Sequence, residues 1–114
     1  MSKDDLVYVG HMLDMARKAW AKVHGLSRHQ FDQDENLQMA LAHLIQVIGE
    51  AARRVSDSFQ QAHSQIPWKP IIGMRHRVVH DYLQVDFDIV WDVATAHLVA
   101  LIQDLEKIVP AANP

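Results

Sequence analysis

The sequence predicts an all-α fold. Apolar residues recur at helical spacing along most of the 114-residue chain, and no segment alternates apolar and polar residues for long enough to require a strand. Hydrophobic residues make up 49% of the chain, which is enough to build a core. We therefore expect four to five helices packed as a bundle in a single domain over residues 1–109, with residues 110–114 as a frayed tail.

The first predicted helix begins near Ser2, which is followed three residues later by Asp5 in a pattern similar to a capping box. Its apolar residues continue to Val23, and Gly25 supplies a typical helix stop. The polar stretch over residues 26–36 then predicts a connection that contains one short helical turn.

A second, longer helix is predicted from Leu37 to Val55, where leucine, isoleucine and alanine form one apolar stripe. Glu50 and Arg54 lie four residues apart in the favourable order on its polar side. Together with Arg53, they are most simply interpreted as a solvated face. The polar segment after this helix is expected to be short-helical or loosely ordered.

Pro67 and Pro70 suit the first turn of the third predicted helix, because proline is tolerated there. The helix continues through Met74 and Val78, and the sequence DYLQVD, residues 81–86, ends it.

Asp86 is the predicted N-cap of the last helix. Its apolar stripe is expected to consist of Val90, Val93, Ala94, His97, Leu101, Leu105 and Ile108.

Composition excludes several functional classes. The chain has no cysteine, so disulfides, thiolate metal sites and a cysteine nucleophile are excluded. Its net charge of −3 argues against tight non-specific binding to nucleic acid, although a local phosphate site remains compatible. The polar N-terminus does not resemble a signal peptide, and no apolar run is long enough to span a bilayer. We therefore expect no membrane association and a cytoplasmic location.

The stretch GMRHRVVHDY, residues 73–82, concentrates chemically active side chains: Arg75, His76, Arg77, His80 and Tyr82. On a helical wheel Arg75 lies about 40° from Ile71, inside the apolar arc. A buried, isolated guanidinium is costly, so either the Arg75 head group reaches solvent or it meets an acceptor in a cleft or at an interface.

His80 lies about 180° from Ile71 if the helix continues that far. Arg75 and His80 would then act together only if the helix ends before His80 or if a second copy of the chain completes the site. His76 and His80 also have the i, i+4 spacing of metal ligands, with Asp81 as a conceivable third ligand. An exposed polar face is the simpler interpretation of this histidine pair.

The spacing Arg75, four residues, His80, one residue, Tyr82 resembles the Arg-x4-His-x-Tyr motif of HepT-like toxins in the HEPN superfamily. Three further stretches resemble that family in the same order, namely IGEAARRVS (48–56), IPWKPIIGMR (66–75) and VDFDIVWDV (85–93). One difference is His76, because asparagine most often follows the motif arginine in this family.

The resemblance implies a two-fold homodimer with a shared cleft, metal-independent RNA cleavage and no cofactor. It assigns catalysis to Arg75 and His80, with His76, Arg77 and Tyr82 in support. It also implies an MNT-type nucleotidyltransferase antitoxin that adenylylates Tyr82. A catalytically silent HEPN module that binds a nucleotide or its nucleotidyltransferase partner is the alternative function, and a histidine metal site is a third.

Overall fold

The computed structural model describes residues 3–81 and 84–109, with the backbone alone at Lys3 and at Val79–Asp81. The described elements are α1 (Lys3–Val23), α2 (Arg28–Asp32), α3 (Glu35–Arg53), α4 (Asp57–Ala62), α5 (Trp68–Val78), β1 (Val79–Asp81), β2 (Gln84–Val85), α6 (Phe87–Asp92), a π-helical segment (Val93–His97) and α7 (Leu98–Glu106). The all-α fold class is confirmed. The predicted tail, residues 110–114, lies outside the described residues. No helix within the described ranges is both long enough and apolar enough to cross a membrane.

Helix α3 lies at the centre of the packing. It contacts both α1 and α5, and α1 also packs against α7. The core consists mainly of aliphatic residues of these helices, together with Phe31 of α2, and its fully buried members include Met12, Leu41, Ile45 and Leu98. The predicted bundle packing is therefore present, and α5 depends on α3 for its position.

Local sequence signals set most helix ends. Gly25 adopts a positive φ of 81° just after α1, which is the conformation expected of a glycine stop. Ser27 and Gln30 form a capping box at α2, the short helical turn predicted in the first connection. Asp86 caps α6 by accepting a hydrogen bond from the Ile89 amide at 3.2 Å, as predicted.

A short antiparallel pair of strands follows α5, which the sequence did not predict. Val79 pairs with Val85 and Asp81 with Gln84, and the Asp86 amide donates to the Val78 carbonyl at 2.7 Å. Strands of three and two residues are too short to produce a period-two pattern in the sequence. They are nevertheless important for the site, because β1 contains His80.

The predicted last helix is interrupted by the π-helical segment, and this changes which residue faces the core. His97 was expected in the apolar stripe, but its side chain is 66% exposed, and Leu98 is buried instead. A π turn contains more residues than an α turn, so it shifts the later residues relative to the helical pattern. The prediction for His97 was therefore wrong.

Gly49 allows α3 and α5 to approach each other closely. A Cβ atom at this position would lie 2.9 Å from the backbone oxygen of Ile71 and 3.9 Å from the Cβ of Arg75. The first distance is shorter than a normal contact, and a backbone oxygen cannot move without shifting its helix.

We predict that Gly49→Ala lowers the free energy of unfolding by about 1–3 kcal/mol, since the new methyl group forces α3 and α5 apart. Gly10→Ala is the matched control, because Gly10 is also helical and nothing lies within 4 Å of its added Cβ. Replacing a helical glycine with alanine in open space should be neutral or stabilising. Chemical denaturation of both variants measures the difference, and equal stability of Gly49→Ala and wild type would contradict the close approach.

Candidate functional site

Helix α5 carries the first half of the motif, and its start is firmly anchored. Trp68 is buried, and its indole Nε1–H donates to the His63 carbonyl at 3.0 Å. Pro70 lies in the first helical turn, as predicted. The helix therefore begins where the prolines indicate, and this fixes the position of Arg75 about two turns later.

Arg75 meets an acceptor on the neighbouring helix. Its Nη1–H donates to Glu50 Oε2 at 2.5 Å, and its side chain is 48% exposed. The sequence left two outcomes open for Arg75: a head group that reaches solvent, or one that meets an acceptor. Both hold in part, because the stem lies against α3 at Gly49 while the head group is paired and still reaches solvent. A half-exposed guanidinium can present its remaining N–H groups to a ligand.

Glu50 binds two arginines at once. Its Oε1 accepts a hydrogen bond from Arg53 at 2.5 Å, while its Oε2 accepts from Arg75. These hydrogen bonds, the one from Arg53 first, hold the pKa of Glu50 below its ordinary value, although partial desolvation opposes them. The predicted pairing of Glu50 with Arg54 was wrong, because the i, i+3 neighbour Arg53 and the arginine on α5 occupy both carboxylate oxygens.

The second half of the motif lies beyond the end of α5. The helix stops at Val78, and His80 belongs to β1. The helical-wheel angle of 180° therefore does not apply to His80, and the condition that the helix ends before it is met. The side chain of His80 and the whole of Tyr82 lie outside the described residues, so the structure does not test their relation to Arg75.

His76 and Arg77 are both exposed on α5. Arg77 follows Arg75 by two residues, so the two guanidinium groups leave the helix on different sides. Arg77 lines a groove between α5 and the C-terminal helical region, whereas Arg75 faces α3.

This groove has a volume of about 430 Å³ and an apolar floor. Its lining comes from α3 (Ile45, Ile48), the approach to α5 and α5 itself (Gln65, Pro67, Pro70, Ile71, Met74, Arg77), α6 and the π-helical segment (Ile89, Asp92, Val93, His97), and α7 (Leu98, Ala100, Leu101, Asp104). Its charged groups are divided, with Arg77 on the α5 side and Asp92 and Asp104 on the other. On this acidic side of the groove, His97 Nε2 lies 3.2 Å from Asp92 Oδ2.

The third hypothesis, a histidine metal site, gains no support from the described part of the chain, where no three histidine or carboxylate side chains cluster to hold an ion. The side chains of His80 and Asp81, two of its three proposed ligands, are not among those described. The metal site therefore remains an alternative for a chelator experiment.

Comparison with known proteins identifies the class. The family model described as "Ribonuclease HepT-like" matches residues 12–108. The chain is 31% identical over 101 residues to "Putative RNase TTE0752" of Caldanaerobacter subterraneus subsp. tengcongensis, covering 89% of this chain and 90% of that protein. It is 29% identical over 75 residues to "Probable ribonuclease HepT" of Thermococcus cleftensis, covering 66% and 68%. No solved structure gives a significant match.

The chain therefore belongs to the HepT-like family, within the HEPN superfamily. The resemblance drawn from the Arg75–His80–Tyr82 spacing and the flanking stretches is confirmed at the level of the family.

Sequence reasoning missed Glu50 and Arg53 as neighbours of Arg75, and it missed the groove. Periodicity within α3 placed both residues correctly on a polar face, but it did not indicate that α5 packs beside that face. A signal was available in Gly49, since glycine inside a helical pattern often marks a close approach.

Proposed function

We propose that this chain is the cytoplasmic toxin of a HEPN/MNT toxin–antitoxin system and acts as a metal-independent endoribonuclease. The observation that carries the proposal is membership of the HepT-like family together with the Arg75-x4-His80-x-Tyr82 spacing at the end of α5. The names of the relatives, which describe them as ribonucleases, support the same activity.

Arg75 is suited to stabilise the transition state. RNA cleavage by the 2′-hydroxyl passes through a phosphorane-like state that carries extra negative charge. A guanidinium presents paired N–H donors that match phosphate oxygens and remains charged at all physiological pH values. Glu50 engages one N–H group of Arg75 among the described contacts, which leaves others for the phosphate.

His80 supplies the proton transfer in this proposal. Histidine as a residue type titrates near neutrality, so imidazole can accept the proton of the 2′-hydroxyl and imidazolium can donate one to the departing 5′-oxygen. The 2′-oxygen then bonds to phosphorus as the bond from phosphorus to the 5′-oxygen breaks, and the products are a 2′,3′-cyclic phosphate and a 5′-hydroxyl. A homodimer would supply two such histidines, one as base and one as acid. His76 and Tyr82 would assist in binding the substrate, whereas Arg77, the third residue expected to do so, lies in the groove on the other side of α5.

We predict that His80→Ala and Arg75→Ala each reduce RNA cleavage by about 10²-fold or more, because each removes one member of the catalytic set. His43→Ala, which removes an exposed histidine from α3 outside the motif, should cleave at the wild-type rate. The measurement is degradation of RNA by purified protein in EDTA, with helical content checked by circular dichroism.

Wild-type rates for both motif variants would contradict the nuclease proposal. Loss of wild-type activity in EDTA, restored by a divalent ion, would favour the metal site at His76 and His80. An inactive wild-type protein would favour the silent HEPN module.

The groove is the proposed homodimer interface. A second copy fits its chemistry, because a two-fold axis would place Arg77 of one copy near the acidic side of the other, formed by Asp92 and Asp104. The apolar floor would gain burial in the same contact. Helix α5 lines the groove and also carries Arg75, so dimerisation here would place the α5 helices of both copies at one interface, with Arg75 on the α3 side of each.

We predict that the wild-type chain is a dimer and that Ala100→Arg makes it monomeric. Ala100 is exposed and lines the groove, so arginine should be tolerated in the folded chain but should place bulk and charge in the interface. Ala21→Arg, at an exposed position on α1, is the matched control and should remain dimeric. Sedimentation at micromolar concentration measures the mass. A monomeric wild type would overturn the homodimer. A dimeric Ala100→Arg variant would show that the interface lies outside the groove.

The antitoxin is proposed to act on Tyr82. An MNT-type nucleotidyltransferase would direct the tyrosine hydroxyl onto the α-phosphate of ATP, forming a tyrosyl–AMP bond and releasing pyrophosphate. The added AMP carries negative charge and bulk next to the motif, so it would exclude an RNA phosphate.

We predict that co-expression with the cognate nucleotidyltransferase adds one or more AMP units to this chain and suppresses its activity. Intact-mass spectrometry should show AMP increments in the wild type and none in Tyr82→Phe. Tyr8→Phe, at the only other tyrosine of the chain, should keep them. A fully inhibited complex that contains unmodified Tyr82 would show inhibition by occlusion instead.

A further inference from the structure

We propose that Arg53 is a second phosphate-binding residue and that Glu50 holds Arg53 and Arg75 together as a two-arginine clamp for RNA. This inference rests on the proposed function, because it takes RNA as the substrate. It adds a residue outside the Arg-x4-His-x-Tyr motif and gives Glu50 the role of a positioning residue.

The first argument is the geometry of the carboxylate. Arg53 donates to Glu50 Oε1 and Arg75 donates to Glu50 Oε2, each at 2.5 Å. The two guanidinium groups therefore converge on one carboxylate, although they come from helices separated by the segment over residues 54–67. These same hydrogen bonds lower the pKa of Glu50 below its ordinary value, which further favours the carboxylate form.

The second argument is the balance of charge. Two guanidinium groups and one carboxylate leave one uncompensated positive charge, in a protein whose net charge is −3. The side chains of Arg53 and Arg75 are 56% and 48% exposed, so this charge is accessible to a ligand. Each guanidinium has five N–H donors and gives one to Glu50 among the described contacts. The remaining donors match the oxygens of a phosphodiester.

The third argument is rigidity. Arg53 ends α3 and Arg75 lies within α5, and these two helices are in close contact at Gly49, next to Glu50. Side chains anchored on packed helices lose less freedom on binding than side chains of a mobile loop. Arg54, the next residue, is also exposed but makes no ion pair within the described part of the chain, so it does not belong to the clamp.

The roles of the two arginines differ. Arg75, as the motif residue, acts at the scissile phosphate and affects the chemical step. Arg53 binds a neighbouring phosphate of the same strand and affects mainly affinity. Arg53→Gln should therefore raise KM with little change in kcat, whereas Arg75→Ala should lower kcat.

The test is RNA binding without cleavage. In a His80→Ala background, fluorescence anisotropy with a short single-stranded RNA is measured over a series of salt concentrations. Arg53→Gln should weaken binding by about tenfold, the usual effect of losing one charged hydrogen-bonded contact. It should also reduce the slope of log affinity against log salt by about 0.7, the value for one phosphate contact on a single strand. Arg54→Gln removes the same charge one residue away and should change affinity by less than about twofold.

The Glu50→Gln variant distinguishes positioning of the two arginines by Glu50 from general electrostatic attraction of RNA. This variant makes the protein more positive, so general electrostatic attraction would tighten RNA binding. The clamp requires the opposite, because loss of the carboxylate releases both arginines from their shared geometry. Tighter binding by Glu50→Gln, or equal behaviour of Arg53→Gln and Arg54→Gln, would overturn the clamp.

Cleavage assays on proteins that retain His80 test the clamp proposal separately from the proposed nuclease function. If wild type binds RNA through Arg53 but cleaves nothing, the clamp stands and the proposed function fails. If wild type cleaves RNA while Arg53→Gln and Arg54→Gln behave alike, the nuclease stands and the clamp fails. A wild-type protein that neither binds nor cleaves RNA would overturn both.

Discussion

The candidate site depends on the close contact between α3 and α5 at Gly49. A side chain at this position would collide with the Ile71 carbonyl, so the helices come this near only because glycine stands there. The next residue, Glu50, is then within hydrogen-bonding distance of Arg75. A wider separation would leave Arg75 without its carboxylate, inside the apolar arc of its own helix. The contact thus gives the half-exposed head group of Arg75 a charged acceptor.

The end of α5 is the second constraint. An arginine and a histidine five residues apart on a continuous helix would point in different directions, about 140° from each other. The change from helix to strand at Val79 means that this angle does not apply, since the backbone at Val79 and Asp81 pairs with residues 84–85. The bond from the Asp86 amide to the Val78 carbonyl joins the start of α6 to the end of α5. The backbone is therefore paired with residues 84–86 both before and after His80.

The π-helical segment affects the opposite flank of α5. Its wider turn exposes His97 and buries Leu98, and both residues line the groove that also contains Arg77. The same helix thus faces two different environments, a charged cluster with α3 and an apolar groove with the C-terminal region. In the proposed dimer the groove would provide the contact area and the charged cluster would remain available to RNA. This division explains why Arg75 and Arg77, only two residues apart, receive different roles.

The sequence alone determined the main helices and the family. Helical periodicity, the stop at Gly25 and the cap at Asp86 predicted the main helices, because these signals act between residues close in the chain. The motif spacing and its flanking stretches were sufficient to recognise the HepT-like family.

Only the tertiary structure decided which residues surround Arg75. Glu50 lies 25 positions before it, and local periodicity assigned Glu50 to Arg54 rather than to Arg53 and Arg75. The short strands and the π-helical segment also gave no periodic pattern in the sequence, because each contains only a few residues. One physical reason applies to the surroundings of Arg75, to the strands and to the π-helical segment. A helical pattern specifies which residues share a face of one helix, whereas the partner of that face is selected by packing among all the helices.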